Sequence, residues 1–212
     1  MKATIIYDNT AYKKGLRADW GFSCVIEVKD TPTVLFDTGA NGMILLNNMR
    51  ELGIDPFSIG KIVISHAHGD HTGGLSEFLT INRDVTLYVP PSFSPPEARE
   101  VITVKEPLKI DEDIYSTGEL SGVEQSLVVK TKKGLAVIVG CSHPGIGIIL
   151  DAASAYGNLY ALIGGFHGFR NFSLLENLEL ICPTHCTKYT SQIRHEYPER
   201  CIEGGVGQVI EI

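Results

Sequence analysis

The chain has 212 residues, 43% of them hydrophobic, and its 25 acidic against 18 basic side chains leave a formal net charge of −7. That length can bury a real core and fits one domain over residues 1–212. The acidic balance, with no run of Lys or Arg, argues against nonspecific nucleic-acid binding, which needs a basic footprint.

The N-terminus, "MKATIIYDNT", has one Lys and a brief apolar patch, so it does not read as a signal peptide. The first strands are predicted at 3–7, 22–28 and 33–37. Helical spacing follows over 42–52, stopped by Gly53. A strand over 61–65, a helix from Thr72 to Leu79 and a strand over 85–89 come next. Residues 89–100 hold four prolines between Pro90 and Pro96, which rule out regular structure there.

The second half alternates in the same way. Strands are predicted over 113–117, 126–131, 135–140, 159–165, 178–183 and 205–212, and helices over 146–156, 170–178 and 187–197. Strand-sized apolar runs such as "LAVIVG" and "ALIGGF" are too short to span a membrane. The five cysteines are sparse and odd in number, as in a reduced cytoplasmic chain. Meander-like strands mixed with α/β units point to two packed sheets with helices outside.

The stretch "ISHAHGDHTGG" (64–74) crowds three histidines and an aspartate into six positions. In an extended segment His66 and His68 share a face. His71 rejoins that side if the chain turns sharply, and Gly69 is the residue expected to make the turn. Other histidines obey a second rule: His66, His143, His167 and His185 each stand just past a short apolar run, as does Asp37 in "TVLFDTG". Ligands bind beyond the carboxyl ends of strands in open α/β sheets. If these strands share an edge, one pocket receives Asp37, His66, His68, Asp70, His71, His143, His167 and His185, which suits two borderline metal ions.

Cys141 precedes His143 by two residues and Cys186 adjoins His185. Both are expected as small buried residues near the pocket floor, Cys141 behind the ligands, although thiolate is itself a good zinc or iron ligand. "GIGIIL" (145–150) lacks the third glycine of a dinucleotide fingerprint and reads as close backbone packing beside His143, with helix N–H groups available to an anion. His195 reads as a solvated helix residue.

"VLFDTG", "SHAHGDHTGG", "GCSHPG" and "PTHC", in this order, resemble the metallo-β-lactamase superfamily. Within it, "DNT" at Asp8–Thr10, "TGE" at Thr117–Glu119, "GCSHPGI", "GGFH" and "HCT" are similar to the subgroup of the dihydropterin-ribofuranosylaminobenzene phosphate synthases. The resemblance implies a four-layer αββα sandwich. It places His66, His68 and His143 on a first metal, and Asp70, His71 and His185 on a second. It also makes Asp37 an acceptor that orients a ligand histidine, and Glu119 a polar pocket residue. The chain departs from many superfamily hydrolases in having "VIVGCSH" where a bridging aspartate would follow a glycine and "STGELSG" near where a separate histidine block would stand. Its 89–100 region is shorter than in the pterin-type relatives.

The chemistry implied is hydrolysis of an ester or phosphoester small molecule by a metal-bound hydroxide. Asp70 would help orient the nucleophile. His167 stays open as a hydrogen-bond donor behind the ligands, a substrate contact or a further ligand. One or two divalent ions are implied, zinc first, with manganese or iron as alternatives. A pterin-type transferase and a non-haem iron protein of oxygen or sulfur chemistry are the competing readings. Substrate-binding residues and oligomeric state are not legible.

Overall fold

The computed structural model describes residues 1–212. Its first sheet begins as an antiparallel meander of β1 (Lys2–Tyr7), β2 (Ser23–Glu27) and β3 (Thr33–Phe36). It continues in parallel through β4 (Ile59–Val63), β5 (Thr86–Val89) and β6 (Glu100–Thr103). The last strand, β13 (Val209–Glu211), returns to pair antiparallel with β1. The second sheet is also mixed. Antiparallel β7 (Leu108–Asp111), β8 (Ile114–Ser116), β9 (Leu127–Lys130) and β10 (Leu135–Val139) lead into parallel β11 (Leu159–Gly165) and β12 (Leu180–Thr184).

Alternation along the strands builds the layers, because successive side chains point to opposite faces. Ile5, Phe36, Ile138 and Ile163 turn inward, where the two sheets share one apolar cluster. Their neighbours Ile6 and Leu35 turn outward beneath α1 (Gly42–Glu51) and α3 (Leu75–Ile81). Val137 and Leu162 turn outward beneath α4 (Ile146–Ser154) and α5 (Thr190–Glu196). Both faces of each sheet are thus covered, which is why β10 is buried at every position. The result is a four-layer αββα sandwich. No helix is long and apolar enough to cross a membrane.

Local signals set the element ends. Asn41 caps α1 by accepting from Ile44 N at 3.1 Å. Beyond its last turn, Gly53 N bonds Arg50 O and Ile54 N bonds Met49 O, closing the helix with a paired C-terminal motif.

Four expectations from the sequence change. The helix expected from Thr72 is two pieces, a single turn α2 (Gly69–Thr72) and then α3. The helix expected over 170–178 is only a 3-10 turn, Phe172–Leu175. Tyr197 Oη donates to Phe172 O, a carbonyl that a continuous helix would use, and Arg200 donates to Glu176 O and Leu178 O at the end of the segment. The helix expected from Thr187 starts at Thr190, because Thr187 N bonds Thr184 O and Lys188 N bonds His167 O. Strands β6 and β7 carry little apolar alternation, lie at sheet edges, and were not anticipated.

The parallel strands place the chemistry. Asp37 follows β3, His66 follows β4, His143 follows β10, His167 follows β11 and His185 follows β12.

Candidate metal centre

After β4 the chain bends at Ala67, and His68 precedes α2 with β-region dihedrals. The helical turn of α2 then swings His71 back beside His66, their ring centroids 4.2 Å apart. Gly69 is not the turning residue: it sits in this helix without positive φ, and a side chain there would meet open space. The demand for glycine falls instead on Gly73 and Gly74. Added Cβ atoms there would lie 2.3 Å from Ala40 O and 2.3 Å from Thr38 O. Those two glycines let the histidine block dock on the loop after β3.

Buried Asp37 stands at that loop in the left-handed region, with φ 56°. Its carboxylate accepts from Ser65 N, Ser65 Oγ and His71 Nδ1, each at 2.7 Å. A carboxylate only accepts, so the His71 proton sits on Nδ1 and its Nε2 lone pair faces the pocket. Ser65 Oγ spends its proton on Asp37 and therefore accepts from His66 Nδ1 at 2.8 Å, which leaves His66 Nε2 bare as well. Asn9 does the same for His185. Its Oδ1 accepts from Gly21 N (3.1 Å) and from His185 Nδ1 (2.9 Å), while its Nδ2 holds His185 O at 2.9 Å.

Two donor groups result, and within each the ligand atoms lie within 4.8 Å of one another. His66, His68 and His143 form one, with His66 Nε2 3.1 Å from His68 Nδ1. Asp70, His71, Cys141 and His185 form the other. There Asp70 Oδ2 lies 3.2 Å from His185 Nε2 and 3.8 Å from His71 Nε2, and Cys141 Sγ lies 3.2 Å from His71 Nε2. Cys141 is buried as expected, and its Sγ lies among the converging side-chain atoms of this second group. Its sulfur occupies the ground where the sequence shows no bridging aspartate.

The electrostatics fit a cation. Burial and the crowding of His71, His143, His68 and His185 hold His66 far below the usual imidazole range. Burial and neighbouring histidines also depress His143, and burial takes His185 down to about 4. Burial opposes ionisation of Asp70, but its histidine neighbours, a backbone amide and Trp20 hold it below the ordinary carboxylate range. The depressed imidazoles of His66, His143 and His185 therefore stand beside an ionised carboxylate. Burial opposes the charged form of His71, but the Asp37 carboxylate outweighs it and raises that ring. His143 Nε2 and His185 Nε2 are buried with no hydrogen-bond partner, an arrangement that costs free energy unless something binds them. Imidazole, carboxylate and sulfur donors suit zinc or iron.

Three supports escaped the sequence reading. Buried Glu124 accepts Gly140 N, Cys141 N and Ser142 N on Oε1 at 3.0–3.1 Å, and His143 N on Oε2 at 2.9 Å. One carboxylate thereby shapes the whole loop that carries Cys141 and His143. Asp8, in "DNT", accepts His185 N at 2.8 Å, and burial raises its pKa to about 6. Trp20 Nε1 donates to Asp70 Oδ2 at 3.0 Å while its ring meets His185 edge-on at 5.1 Å.

His167 belongs to neither donor group. It is exposed, with φ 47°, and its ring lies 5.3 Å from that of His143. Together with Ser142, His143, Phe166 and Phe169 it lines a cleft of about 400 Å³. Gly145, at the same cleft, has φ +97° and open space where a side chain would go. Backbone conformation, not close packing, therefore requires that glycine. Glu119 is tied by its amide to Lys105 O, its Oε1 is buried without a partner, and it belongs to neither donor group. His195 is an exposed residue of α5.

Comparison with known proteins identifies the family. The family model of the metallo-beta-lactamase superfamily matches residues 20–152. The chain is 27% identical, over 259 aligned positions, to the 7,8-dihydropterin-6-methyl-4-(beta-D-ribofuranosyl)-aminobenzene-5'-phosphate synthase of Methanocaldococcus jannaschii, covering 89% of this chain and 88% of that one. It is 28% identical to an uncharacterised protein of the same organism, covering 98% and 99% respectively. Among solved structures, Tm1679, described as a metal-dependent hydrolase of the beta-lactamase superfamily, superposes with a TM-score of 0.81 at 26% identity, covering 100% of this chain and 99% of the other. On the ordered motif blocks, the four layers and the family match, this chain belongs to the metallo-beta-lactamase superfamily.

Proposed function

We propose that this protein is a metal-dependent hydrolase of small ester or phosphoester substrates. The observation that carries the reading is the convergence of two adjacent donor groups, with the Nε2 atoms of His143 and His185 left bare in a buried setting. In this proposal His66, His68 and His143 hold one divalent ion, and Asp70, His71, Cys141 and His185 hold the other, zinc in both. Bound there, such ions lower the pKa of water from 15.7 towards about 7 and polarise a carbonyl or phosphoryl oxygen.

The chain's own residues supply the rest. Asp37, Ser65 and Asn9 fix the tautomers of His71, His66 and His185, so that none of these three rings must flip before it binds. Trp20 holds Asp70 Oδ2 and screens His185 from solvent on one side. In this reading the Asp70 carboxylate also orients the attacking group. The cleft beside His143 takes the substrate, with His167 at its rim placed to hand a proton to the leaving group. The first amides of α4 have no side-chain cap at Gly145, which suits a negatively charged oxygen of a phosphoester.

A second reading, a synthase acting on a pterin precursor, is favoured by the named archaeal relative. Against it, the alignment is longer than this whole chain, so that relative carries segments with no counterpart here. The deciding experiment measures metal per chain by elemental analysis, for protein purified without chelator and for His143→Ala. Hydrolysis of chromogenic esters and phosphodiesters is then assayed. Two zinc equivalents, falling in the variant, with turnover of either substrate type, is the expected result. No metal after reconstitution, or loaded protein inert towards both substrate types, would overturn the proposal.

A further inference from the structure

All five cysteines are unbonded, and two of them meet at the metal centre. Cys141 Sγ and Cys186 Sγ lie 3.3 Å apart. Cys141 follows β10 and Cys186 follows β12, with β11 running between those strands. A side chain on β11 would ordinarily separate them, but β11 ends there in Gly165. A Cβ at Gly165 would sit 2.8 Å from Cys186 Sγ and 2.5 Å from Gly140 O. The absent side chain is what brings the two sulfurs together. The other cysteines are placed differently: Cys24 and Cys182 are enclosed between the sheets, and Cys201 lies in the cluster that also packs α5.

The geometry points to Cys141 and Cys186 as a dithiol that a hydroperoxide converts reversibly into a disulfide, withdrawing Cys141 from the donors Asp70, His71 and His185. Bonding requires the sulfurs to close from 3.3 Å to about 2.05 Å, a movement within reach of rotations about two short side chains. With hydrogen peroxide as oxidant, two S–H bonds and the O–O bond break, one S–S bond forms, and two waters leave. The sulfurs are oxidised and the peroxide oxygens reduced. Cys186 is the partly exposed member and gives the oxidant its first sulfur, while buried Cys141 resolves the intermediate. Formation of the bond needs no ion; only its effect on metal binding rests on the proposed role of Cys141.

The test treats metal-free wild-type protein with hydrogen peroxide, alkylates the remaining thiols and maps the peptides by mass. Cross-linked peptides carrying Cys141 and Cys186, with free thiols falling from five to three and restored by dithiothreitol, are expected. Cys186→Ser should form no intramolecular bond under the same treatment. Independent alkylation of both residues in the treated wild type, or their separate conversion to sulfinic acids, overturns the dithiol. Zinc bound per chain is then measured on oxidised and reduced samples. Loss of about one equivalent on oxidation supports the withdrawal of a donor. Equal zinc in both samples overturns that withdrawal while leaving the disulfide and the first ion's ligand set standing.

Discussion

Asp37 Oδ2 accepts from His71 Nδ1 and from Ser65 Oγ at the same distance, 2.7 Å, and through Ser65 it also sets the proton of His66. One buried carboxylate thus governs a histidine in each donor group. Asp37→Asn would place an amide where only an acceptor serves and would allow the opposite His71 tautomer. Zinc affinity, read by competition with a chromophoric chelator, should fall by about 10- to 100-fold. Unchanged affinity would mean that the rings are oriented by packing alone.

Glu124 offers the complementary case, since its two oxygens serve four backbone amides of residues 140–143. Glu124→Gln keeps one acceptor oxygen and turns an NH2 group towards the amide of His143 or its neighbours. Leaving one or more of these buried amides unpaired should cost about 1–3 kcal/mol in urea unfolding of the metal-free protein. Zinc content should fall as well, because the displaced loop carries a donor for each group. A variant of wild-type stability and zinc content would show that the loop holds its shape unaided.

Crowding of the histidines makes a third expectation. Rings of His66, His68, His71 and His143 approach with centroids 4.2 to 4.8 Å apart, and His66 Nε2 lies 3.1 Å from His68 Nδ1. A cation relieves this only in the folded state. At free zinc about 100-fold above its dissociation constant, one site adds about 2.7 kcal/mol. For a chain of this length that is a rise in Tm of roughly 5–10 °C. Differential scanning fluorimetry with and without chelator reads it directly, and coincident transitions would count against metal in the folded protein.

Much of this centre was legible because His66, His143 and His185 each come shortly after a buried apolar strand and His68, Asp70 and His71 follow His66 at once, although the strands belong to two packed sheets and not to one edge. Register within the loops was not legible. Cys141 reads equally well as a packing residue or a donor until β10 and the His71 helix are seen face to face. Glu124, in "GVEQS", has no local pattern at all, since its partners are backbone amides sixteen to nineteen residues away. Strands β6 and β7 were lost for a related reason: edge strands bearing Glu100 and Lys109 lack the apolar signal of a covered strand. Segment 170–178 has helical spacing, yet Tyr197 takes the Phe172 carbonyl that a continuous helix would use.

Lys61 on β4 reaches across to the other sheet, where it pairs with Asp111 and donates to Ile110 O at 2.8 Å. Burial opposes ionisation of Asp111, but the Lys61 contact outweighs it and holds the carboxyl below its ordinary range. A depressed carboxyl pKa stabilises the fold above the unfolded value, and that contribution is lost as pH falls through the folded value. Lys61→Met should therefore cost about 1 kcal/mol at neutral pH. The difference from wild type should shrink as pH drops below about 4. Denaturant titrations of both proteins at several pH values provide the check, and a pH-independent difference would assign the loss to packing of the lysine stem.

His167 has left-handed backbone, an exposed ring and a place at the cleft rim beside His143, without belonging to either donor group. Strained backbone at a cleft is retained where the surroundings fix it, and here Lys188 N holds His167 O at 2.8 Å. If the ring passes a proton to the leaving group, His167→Ala should lower kcat by about 10²-fold or more while zinc content stays at the wild-type level. The loss should be largest for esters with poorly acidic leaving groups and smallest for nitrophenolate, which departs without a proton. A rise in KM with unchanged kcat would reduce His167 to a substrate contact. A loss of zinc would instead place the ring among the ligands, although it belongs to neither donor group.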